Sequence, residues 1–325
     1  MRIPHLLLSL VTFASLALVG PARAQDDYPN RPITWVVPFG AGGGPDTVAR
    51  MLAPKVSARL GQPVVIENRP GAAGTVGVGL VANAKPDGYT IVQGTNGTHG
   101  VAPVLYRRLS YDPVRDFTGV TRLTSVGFLL MVPATSPIMN LQQFIADLRT
   151  HADTRTFGTS GNGSIPHIAA ESFAAATNTT VRHIPYKAVS GALNDVLGGR
   201  LDFMIDSTTN SYGLVKGGKL RALAVLTAAT RAFPPEVPTL QSVGIHNFDV
   251  SGWDAIFVPA ATPRPVVAKL NHAITEALGD PEIVKAMAEK GLSPVPTSVE
   301  QTAEFLRNDL PRWAEATRRT GARAD

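Results

Sequence analysis

Short runs rich in valine and isoleucine alternate with helical patterns along most of the chain. This alternation is typical of a parallel β-sheet covered by helices. In the first third of the chain it predicts strands at 33–39, 63–69 and 89–95, separated by two helices. The first of these helices, "DTVARMLAPKVSARL", is expected to begin with Asp46 as its N-cap and to bend or split at Pro54.

The alternation breaks between Asp116 and Pro133, where two β runs follow each other without a helix. We interpret this break as a crossover into a second lobe, in which strands and helices alternate again. After a proline-rich link, the strand "VSGWDAIFVP" is expected to return the chain to the first lobe, and the last of the helices that follow is expected to bend at Pro311. Two crossings between lobes imply a hinge. The predicted fold is α/β with two lobes: residues 25–125 form the first part of lobe I, 126–248 form lobe II, and 249–325 form the second part of lobe I.

The N-terminal residues 1–24 have the pattern of a cleavable secretory signal peptide. A basic start is followed by an apolar run from Leu6 to Gly20 and by the small-residue site Ala22-Arg23-Ala24. The apolar run has 15 residues, fewer than the roughly 20 that span a bilayer. We expect cleavage after Ala24, which leaves 301 residues with a net charge of +3. A mature chain of this length is typical of two domains, and its expected location is the periplasm.

Composition excludes several classes of protein. The chain contains no cysteine, which rules out a disulfide framework, a cysteine nucleophile and a thiolate metal site. Basic residues are scattered rather than clustered with aromatic ones, so nucleic acid is not an expected partner. No histidine and carboxylate residues have the spacing of a zinc or calcium site. We therefore expect neither a metal nor a cofactor.

The stretch "VVPFGAGGGPDTVARML" predicts a buried strand, a glycine-rich loop and a helix. Such a junction directs backbone N–H groups and the positive end of the helix dipole at one point, which favours an anion. The loop lacks the Gly-Lys-Ser/Thr ending of a nucleotide phosphate loop. A dinucleotide fingerprint matches only in part, since Thr47 stands where its third glycine belongs, although Glu67 lies roughly where its ribose-binding acid is expected. A free carboxylate remains, and so does the alternative that the glycines only turn the chain.

A second stretch, "FGTSGNGSIPHIAAESF", repeats this design of strand, small polar loop and helix. In a two-lobed molecule, two such loops can face each other and hold one anion between them. A third candidate, "QGTNGTH", follows the third predicted strand, at the carboxyl edge of the sheet, where ligands usually bind. We expect this third segment to be an exposed strand end.

Four side chains have two interpretations each. Asp46 is a helix cap, a ligand contact or both. Asp206, at the end of "DFMID", caps the next helix or points into the cleft, where it accepts a hydrogen bond from a ligand amine, a hydroxyl or a water. His99 and His167 are candidate donors or, alternatively, capping or surface residues. Trp253 is expected to pack at the hinge.

Two enzyme classes remain as remote alternatives. In "GTSGN", Asn162 stands where the G-x-S-x-G motif of a serine hydrolase requires its last glycine, and "GNGSI" is also off this pattern. A secreted hydrolase and a dinucleotide-binding enzyme therefore stay open, but neither has a complete motif.

Motifs in order along almost the whole mature chain carry a family resemblance. They include "YPNRPITWVVPFGAGGGPDTVAR", "LGQPVVIENRPGAAGTVG", "KPDGYTI", "YDPVRDF", "TSGNGSIPHIAAESF", "HIPYKAVSGALNDVLGGRLDFMID", "GKLRALAVL" and "EVPTLQSVG". The chain resembles the Bug-type periplasmic solute receptors of tripartite tricarboxylate transporters. The resemblance implies a type II periplasmic-binding-protein (Venus flytrap) fold, a monomer that closes on a small organic carboxylate and delivers it to the permease subunits of the transporter. A periplasmic sensor that partners a signalling protein is the alternative.

The resemblance also implies that backbone and small polar groups of two loops hold the ligand carboxylate. Two departures from the family pattern, Pro45 and Ile165-Pro166, make the site less polar and suggest a ligand with an apolar or aromatic portion. A dicarboxylate, a tricarboxylate, an acidic amino acid and an aromatic acid all remain open as ligands. Together with the third segment, the expected ligand-binding residues are Phe39, Gly40, Ala41, Gly42, Gly43, Asp46, Thr95, Asn96, His99, Ser160, Gly161, Asn162, Gly163, Ser164, His167 and Asp206.

Overall fold

The computed structural model of the protein describes residues 28–227, 237–246 and 248–321. The predicted signal peptide and part of the proline-rich link lie outside these ranges. The strands are β1 (Ile33–Val37), β2 (Val64–Asn68), β3 (Thr90–Thr95), β4 (Phe117–Val126), β5 (Phe128–Pro133), β6 (Thr156–Thr159), β7 (Arg182–Pro185), β8 (Met204–Ser207), β9 (Leu220–Val225), β10 (Gly252–Pro259) and β11 (Leu292–Pro294). The α-helices are α1 (Gly44–Leu60), α2 (Thr75–Ala82), α3 (Ala102–Leu105), α4 (Leu141–Thr150), α5 (Ile165–Thr177), α6 (Val189–Leu197), α7 (Thr208–Lys216), α8 (Arg264–Leu278), α9 (Pro281–Ala288) and α10 (Val299–Thr320).

Lobe I is built on a six-stranded sheet in the order β11-β4-β10-β3-β1-β2. Strand β1 runs parallel to both β2 and β3, as predicted. Strand β10, however, is antiparallel to β3 and to β4, and β11 is antiparallel to β4. The prediction of a parallel sheet is therefore wrong for this half. The reason is that β10 enters lobe I from the edge at which β3 ends, so that Asp254 near its start pairs with Thr95.

Lobe II contains a three-stranded antiparallel sheet, β8-β5-β9, and a parallel pair, β6-β7. A bridge between Phe157 and Phe203 joins β6 to the segment that leads into β8. Helices α4 to α7 belong to this lobe. Helix α5 follows β6, and α7 follows β8, so the N-termini of both helices lie at strand ends, where the predicted second loop and Asp206 are found.

The two sheets are joined by two chain segments that run side by side. Only Gly127 separates β4 from β5, which confirms the predicted pair of consecutive strands. The returning segment is bonded to the outgoing one, because Thr227 Oγ1 accepts from Phe128 N–H at 3.2 Å and donates to the carbonyl of Val250 at 2.8 Å. The exact lobe boundaries, 25–125, 126–248 and 249–325, stay predictions.

Both faces of the lobe I sheet are buried. Trp35 and Ile256 belong to a core shared with α1 and α8, whereas Val36 and Phe257 belong to a core shared with α2 and α10. Burial on both faces explains the continuous apolar runs of these strands. Trp253 is buried and donates from Nε1 to Asp309 Oδ2 of α10 at 2.6 Å, so it packs in the core at the return segment.

The prediction that Asp46 is the N-cap of α1 is wrong, and of the two outcomes predicted at Pro54 the split does not occur. The helix begins at Gly44 with Gly43 as its N-cap, so that Asp46 is its third residue. Pro45 fits this first turn because the N–H that proline lacks would have no partner within the helix. The helix also continues through Pro54 without a split. Within the described ranges, no helix is long and apolar enough to cross a membrane.

Candidate functional site

The loop between β1 and α1 is a tight turn fixed by the Asp46 side chain. Gly43 N–H donates to the carbonyl of Gly40 at 3.3 Å, and Gly42 has a φ of 79°, a left-handed conformation that suits glycine. Asp46 Oδ2 accepts from Gly42 N–H at 2.8 Å. Asp46, the third residue of the helix, thus fixes the position of Gly42, the residue before the N-cap.

Both carboxylate oxygens of Asp46 accept hydrogen bonds from within the protein. Besides Gly42, Arg50 Nε donates to Oδ2 at 2.9 Å and Asn68 Nδ2 donates to Oδ1 at 2.9 Å. Asn68 also donates to the carbonyl of Phe39 at 3.0 Å, on the other side of the turn. Burial disfavours ionisation of Asp46, but the bonds from Arg50, Gly42 and Asn68 outweigh it, and the pKa lies below its usual value. Asp46 is therefore a charged residue that shapes the loop.

The loop between β6 and α5 has the same construction. Ser164 N–H donates to the carbonyl of Gly161 at 3.2 Å, and Gly163 has a φ of 75°. Ser164 is the N-cap of α5, Pro166 is the second residue of the helix and His167 is the third. Gly163 N–H donates to His167 Nδ1 at 3.0 Å. The sequences Gly40-Ala-Gly-Gly-Gly-Pro-Asp and Gly161-Asn-Gly-Ser-Ile-Pro-His thus share the same two hydrogen bonds and the same left-handed glycine, although Gly161 has a positive φ and Gly40 does not.

His167 lies against a second histidine that sequence reasoning did not identify. Its ring stacks on His183 of β7, with centroids 4.1 Å apart and planes inclined by 16°, and His183 in turn stacks on Phe157. Burial lowers the pKa of His167, and burial together with the nearby His167 charge lowers the pKa of His183 to about 4. Both rings are therefore neutral at pH 7. His183 has no motif that would have marked it, since only the pairing of β6 with β7 brings it to the loop.

Three glycine amides of these loops donate hydrogen bonds to groups within the protein. Gly42 N–H is bonded to Asp46, Gly163 N–H to His167, and Gly161 N–H to Thr159 Oγ1 at 3.1 Å. The sequence interpretation had assigned such amides to the ligand. In the structure they fix the shape of each turn at the start of a helix, where the remaining charge is the positive end of the helix dipole.

Besides His99 Nε2, three buried polar atoms of predicted site residues have no hydrogen-bond partner among the described residues: Asn96 Nδ2, Ser164 Oγ and Asp206 Oδ2. Unpaired buried polar atoms are costly, and in native proteins they often mark a place for water or a ligand. Asn96 belongs to lobe I, and the other two belong to lobe II. The set offers an amide donor, a hydroxyl and a carboxyl acceptor.

Asp206 is a strand residue and does not cap α7. Strand β8 continues to Ser207, which is the N-cap of α7, so the predicted cap role is wrong. Asp206 Oδ1 accepts from Asn210 Nδ2 at 3.2 Å, while Oδ2 remains unpaired. Burial raises the pKa of Asp206 to about 7, although bonds from Ser207 and Asn210 oppose the shift. A carboxyl in this condition lies near the midpoint of its titration at neutral pH.

The third predicted segment is buried, so the expectation that it is an exposed strand end is wrong. Thr95, Asn96 and His99 are at most 9% exposed. The chain turns at once into a π-helical turn, Gly97–Val101, in which Thr98 Oγ1 accepts from Thr95 N–H. The His99 ring stacks on Phe257 with centroids 4.0 Å apart, and burial lowers its pKa to about 3. His99 therefore packs in the core. Its Nε2, both polar side-chain atoms of Gln93 and Asn96 Nδ2 are buried without a hydrogen-bond partner among the described residues.

The two lobes touch around these residues. A Cβ atom at Gly44 would lie 3.4 Å from Thr209 Cβ, and one at Gly97 would lie 3.9 Å from Ile165 Cγ1. Thr208 Oγ1 donates across the interface to the carbonyl of Gly291 at 3.0 Å. The first turn of α1 thus faces that of α7, and the segment after β3 faces that of α5. The structure brings the predicted loops of both lobes together in a closed arrangement.

The remaining predicted residues line the outer side of the turns. Gly40, Ala41 and Gly42 are exposed, as are Ser160 and Asn162, whereas Phe39 is half-buried. A cavity of about 650 Å³ lies elsewhere, between α5, α10 and the segment 241–250, and none of the predicted site residues lines it. Among the described residues, no group of three or more histidine and carboxylate side chains is placed to hold a metal ion.

The chain is similar over most of its length to a known protein family and to several solved structures. A family model described as the tripartite tricarboxylate transporter family receptor matches residues 48–321. The structure of the periplasmic binding protein BugD is 33% identical, with a TM-score of 0.85 over 92% of this chain and 100% of that chain. MatC from Rhodopseudomonas palustris, solved with bound malate, is 32% identical, with a TM-score of 0.82 over 89% of this chain and 100% of that one. The R. palustris protein Rpa4515, solved with adipate, is 32% identical, with a TM-score of 0.86 over 91% of this chain and 99% of that one.

Proposed function

This chain belongs to the tripartite tricarboxylate transporter receptor family, and we propose that it captures a small aliphatic dicarboxylate between its two lobes. The observation that carries this proposal is the pair of matching turns, one at the start of α1 and one at the start of α5. Each places the positive end of a helix at the lobe interface, and the structure has the two lobes in contact there.

The carboxylate is held by neutral donors and helix dipoles rather than by a fixed cation. Asn96 Nδ2 donates from lobe I and Ser164 Oγ donates from lobe II, because both atoms are buried without another partner among the described residues. Donors from both lobes make binding and closure one event, since the bound anion stabilises only the closed form. Water-excluded hydrogen bonds to an ionised carboxylate are stronger than those between neutral groups.

The ligand class follows from the relatives and from the side chains at the interface. The proteins solved with malate and adipate are related to this chain over most of its length, and both ligands are aliphatic dicarboxylates. Ile165 and Pro166 supply an apolar contact for a short carbon chain, and both are buried. Asp206 Oδ2 supplies an acceptor for a ligand hydroxyl, an ammonium group or a protonated second carboxyl.

The role is binding without catalysis. We propose that the protein acts in the periplasm as a monomer and delivers its ligand to the permease subunits of a tripartite tricarboxylate transporter. The buried histidines fit this role because His99 packs in the core and His167 bonds to a backbone amide. The hydroxyl next to His99, Thr98 Oγ1 at 2.9 Å from Nδ1, is fully buried, so a substrate has no access to it as it would to a nucleophile activated by a general base.

A thermal-shift titration tests the proposal. The purified protein without its predicted signal peptide is melted with malate, succinate, adipate, NAD or phosphate. A ligand at 100 times its Kd stabilises the native state by about 2.7 kcal/mol, which raises Tm by several degrees. We expect such a rise with at least one dicarboxylate and none with NAD. A rise with NAD or phosphate alone, or no rise with any carboxylate, would contradict the proposal.

A further inference from the structure

We propose that His167 is a positioning residue that holds the lobe II turn in its ligand-binding shape, and that its protonation releases this turn and the ligand with it. This inference rests on the function proposed above. It concerns how the binding loop is held, and it makes the affinity for the ligand sensitive to acid.

The hydrogen bond between Gly163 and His167 has only one possible direction. Gly163 N–H can only donate, so His167 Nδ1, 3.0 Å away, must be the acceptor. A neutral imidazole accepts at one nitrogen and carries its proton on the other, so His167 is the Nε2–H tautomer. In the imidazolium form both nitrogens carry protons, and two donors would then face each other. Protonation of His167 therefore breaks this bond.

The same bond fixes the turn that presents Ser164. Gly163 directly precedes Ser164, and its φ of 75° is maintained while its N–H points back at the first turn of α5. Without the acceptor, a buried N–H loses its partner and the turn relaxes to recover one. Ser164 Oγ, the lobe II donor proposed for the carboxylate, moves with it.

His183 couples a second part of the loop to the same event. His183 Nε2 lies 2.6 Å from Thr159 Oγ1, and this hydroxyl accepts from Gly161 N–H at 3.1 Å. The stacked rings thus support both glycines of the turn, one directly and one through Thr159. A charge on either ring disfavours a charge on the other at a centroid distance of 4.1 Å.

Among the described residues, no carboxylate forms a hydrogen bond or ion pair with either ring. The elements packed against α5 carry Asp206 on β8 and, facing the helix, Arg312, Glu315 and Arg319 on α10. The ring packed against His167 is His183, and Tyr186, which follows β7, has its hydroxyl bonded to Asp195 at 2.5 Å. Asp195 is paired with Arg200. One turn further along α5 lies Glu171, whose pKa is raised by burial. The described residues thus leave burial and the neighbouring histidine as the effects that act on His167 and His183.

Lobe I provides an internal comparison. Its turn has the same shape, but the acceptor is the carboxylate of Asp46, whose pKa is held low by Arg50, Gly42 and Asn68 against the effect of burial. This acceptor survives mild acid. The two turns therefore share this glycine-to-helix hydrogen bond at neutral pH, and in mild acid the lobe II turn alone loses it.

Calorimetric titrations of a dicarboxylate between pH 5 and pH 8 test the inference, with wild type, His167→Ala, His167→Asn and the control His272→Asn. Asparagine retains an acceptor at the position of Nδ1 but does not titrate, whereas His272 is exposed on α8. We expect His167→Ala to weaken binding about tenfold at pH 7.5. His167→Asn should restore most of this loss and flatten the decline of affinity below pH 6.5, and His272→Asn should follow wild type. Titration of the ligand and of Asp206 is common to all four proteins and cancels in the comparison.

Two outcomes separate this inference from the proposed function. If wild type binds a dicarboxylate but His167→Asn declines in acid as steeply as wild type, the inference is wrong and the function stands. The second readout needs no ligand. A ¹⁵N NMR experiment on the imidazole nitrogens should identify His167 as the Nε2–H tautomer at pH 7.5, and an Nδ1–H tautomer would overturn the inference.

Discussion

Asp46 and His167 are the third residues of α1 and α5, and each accepts a hydrogen bond from the N–H of the glycine four residues before it. The two helices lie in different lobes and share little sequence beyond a glycine pair and a proline. The first turn of α1 faces that of α7, and the first turn of α5 faces the segment after β3, so both helix starts lie at the lobe interface. A single anion between them would meet two positive helix ends, which is the physical basis of the proposed binding mode.

We expect a negative charge placed in the lobe I turn to weaken binding of a dicarboxylate. Gly42→Asp places a carboxylate at the proposed anion site, where a Cβ meets no atom within 4 Å. Any side chain at φ 79° is strained, so Gly42→Asn is the matched control with similar strain and no charge. Calorimetry should show dicarboxylate affinity at least tenfold weaker in the Asp variant than in the Asn variant. Equal affinities would show that the anion does not bind at this turn.

Closure of the lobes depends on the small size of Gly163. A methyl group at this residue would lie 1.7 Å from Leu105 Cδ2 in lobe I, so Gly163→Ala should keep the lobes apart. The control is Gly199→Ala, with a similar φ of 69° and no atom within 4 Å of the added methyl. Small-angle scattering in saturating ligand should show a larger radius of gyration for Gly163→Ala than for wild type or the control. A closed, fully binding Gly163→Ala protein would contradict the interface described here.

We expect Asp206 to accept a hydrogen bond from a second polar group of the ligand. Malate carries a hydroxyl that succinate lacks, and Asp206 Oδ2 is a buried acceptor without a partner among the described residues. Wild type should therefore prefer malate, and Asp206→Asn should reduce the ratio of the two affinities, because the amide group that faces the ligand can donate instead of accept. Competition titrations measure this ratio. A preference unchanged by the substitution would mean that Asp206 does not contact the ligand.

Asp254 should affect stability rather than binding. It lies in the lobe I core, where Thr124 Oγ1 donates to its Oδ2 at 2.9 Å, and burial raises its pKa to about 6. The folded state thus holds a proton that the unfolded state releases near pH 4, so this residue stabilises the fold below pH 4 and loses that contribution as the pH rises to 6. The loss amounts to about 3 kcal/mol.

The variant Asp254→Asn lacks this titration. Urea unfolding should therefore show its free energy of unfolding rising relative to wild type by about 3 kcal/mol between pH 4 and pH 7. His272→Asn, on the surface of α8, serves as the control for the rest of the protein's pH dependence. Parallel pH profiles for Asp254→Asn and wild type would contradict the assignment of a buried, protonated carboxyl.

Much of this architecture could be predicted from the sequence because it depends on local patterns. The apolar runs of β1 and β3 and the glycine-rich starts of α1 and α5 are visible in the amino-acid order. The antiparallel direction of β10 could not be predicted, because it depends on the edge of the sheet at which the returning chain enters lobe I. The sequence predicts Asp46 as an N-cap because aspartate is a favoured N-cap residue, whereas the helix begins two residues earlier, at Gly44.

In the candidate site, too, the local features could be predicted from the sequence and the contacts between distant residues could not. The order of strand, glycine-rich loop and helix predicts both turns, and the Gly-x-Gly-x-x-Pro spacing that they share would have paired Asp46 with His167. Nothing in the sequence brings His183 to His167 or buries His99 against Phe257, because those contacts form only when the strands pair.

A crystal structure of the protein with bound malate or adipate tests the central claim most directly. We predict one ligand carboxylate between the turns at 40–43 and 161–164, within hydrogen-bond distance of Asn96 Nδ2 and Ser164 Oγ. A dicarboxylate bound instead in the cavity between α5 and α10, with both turns empty, would contradict the account.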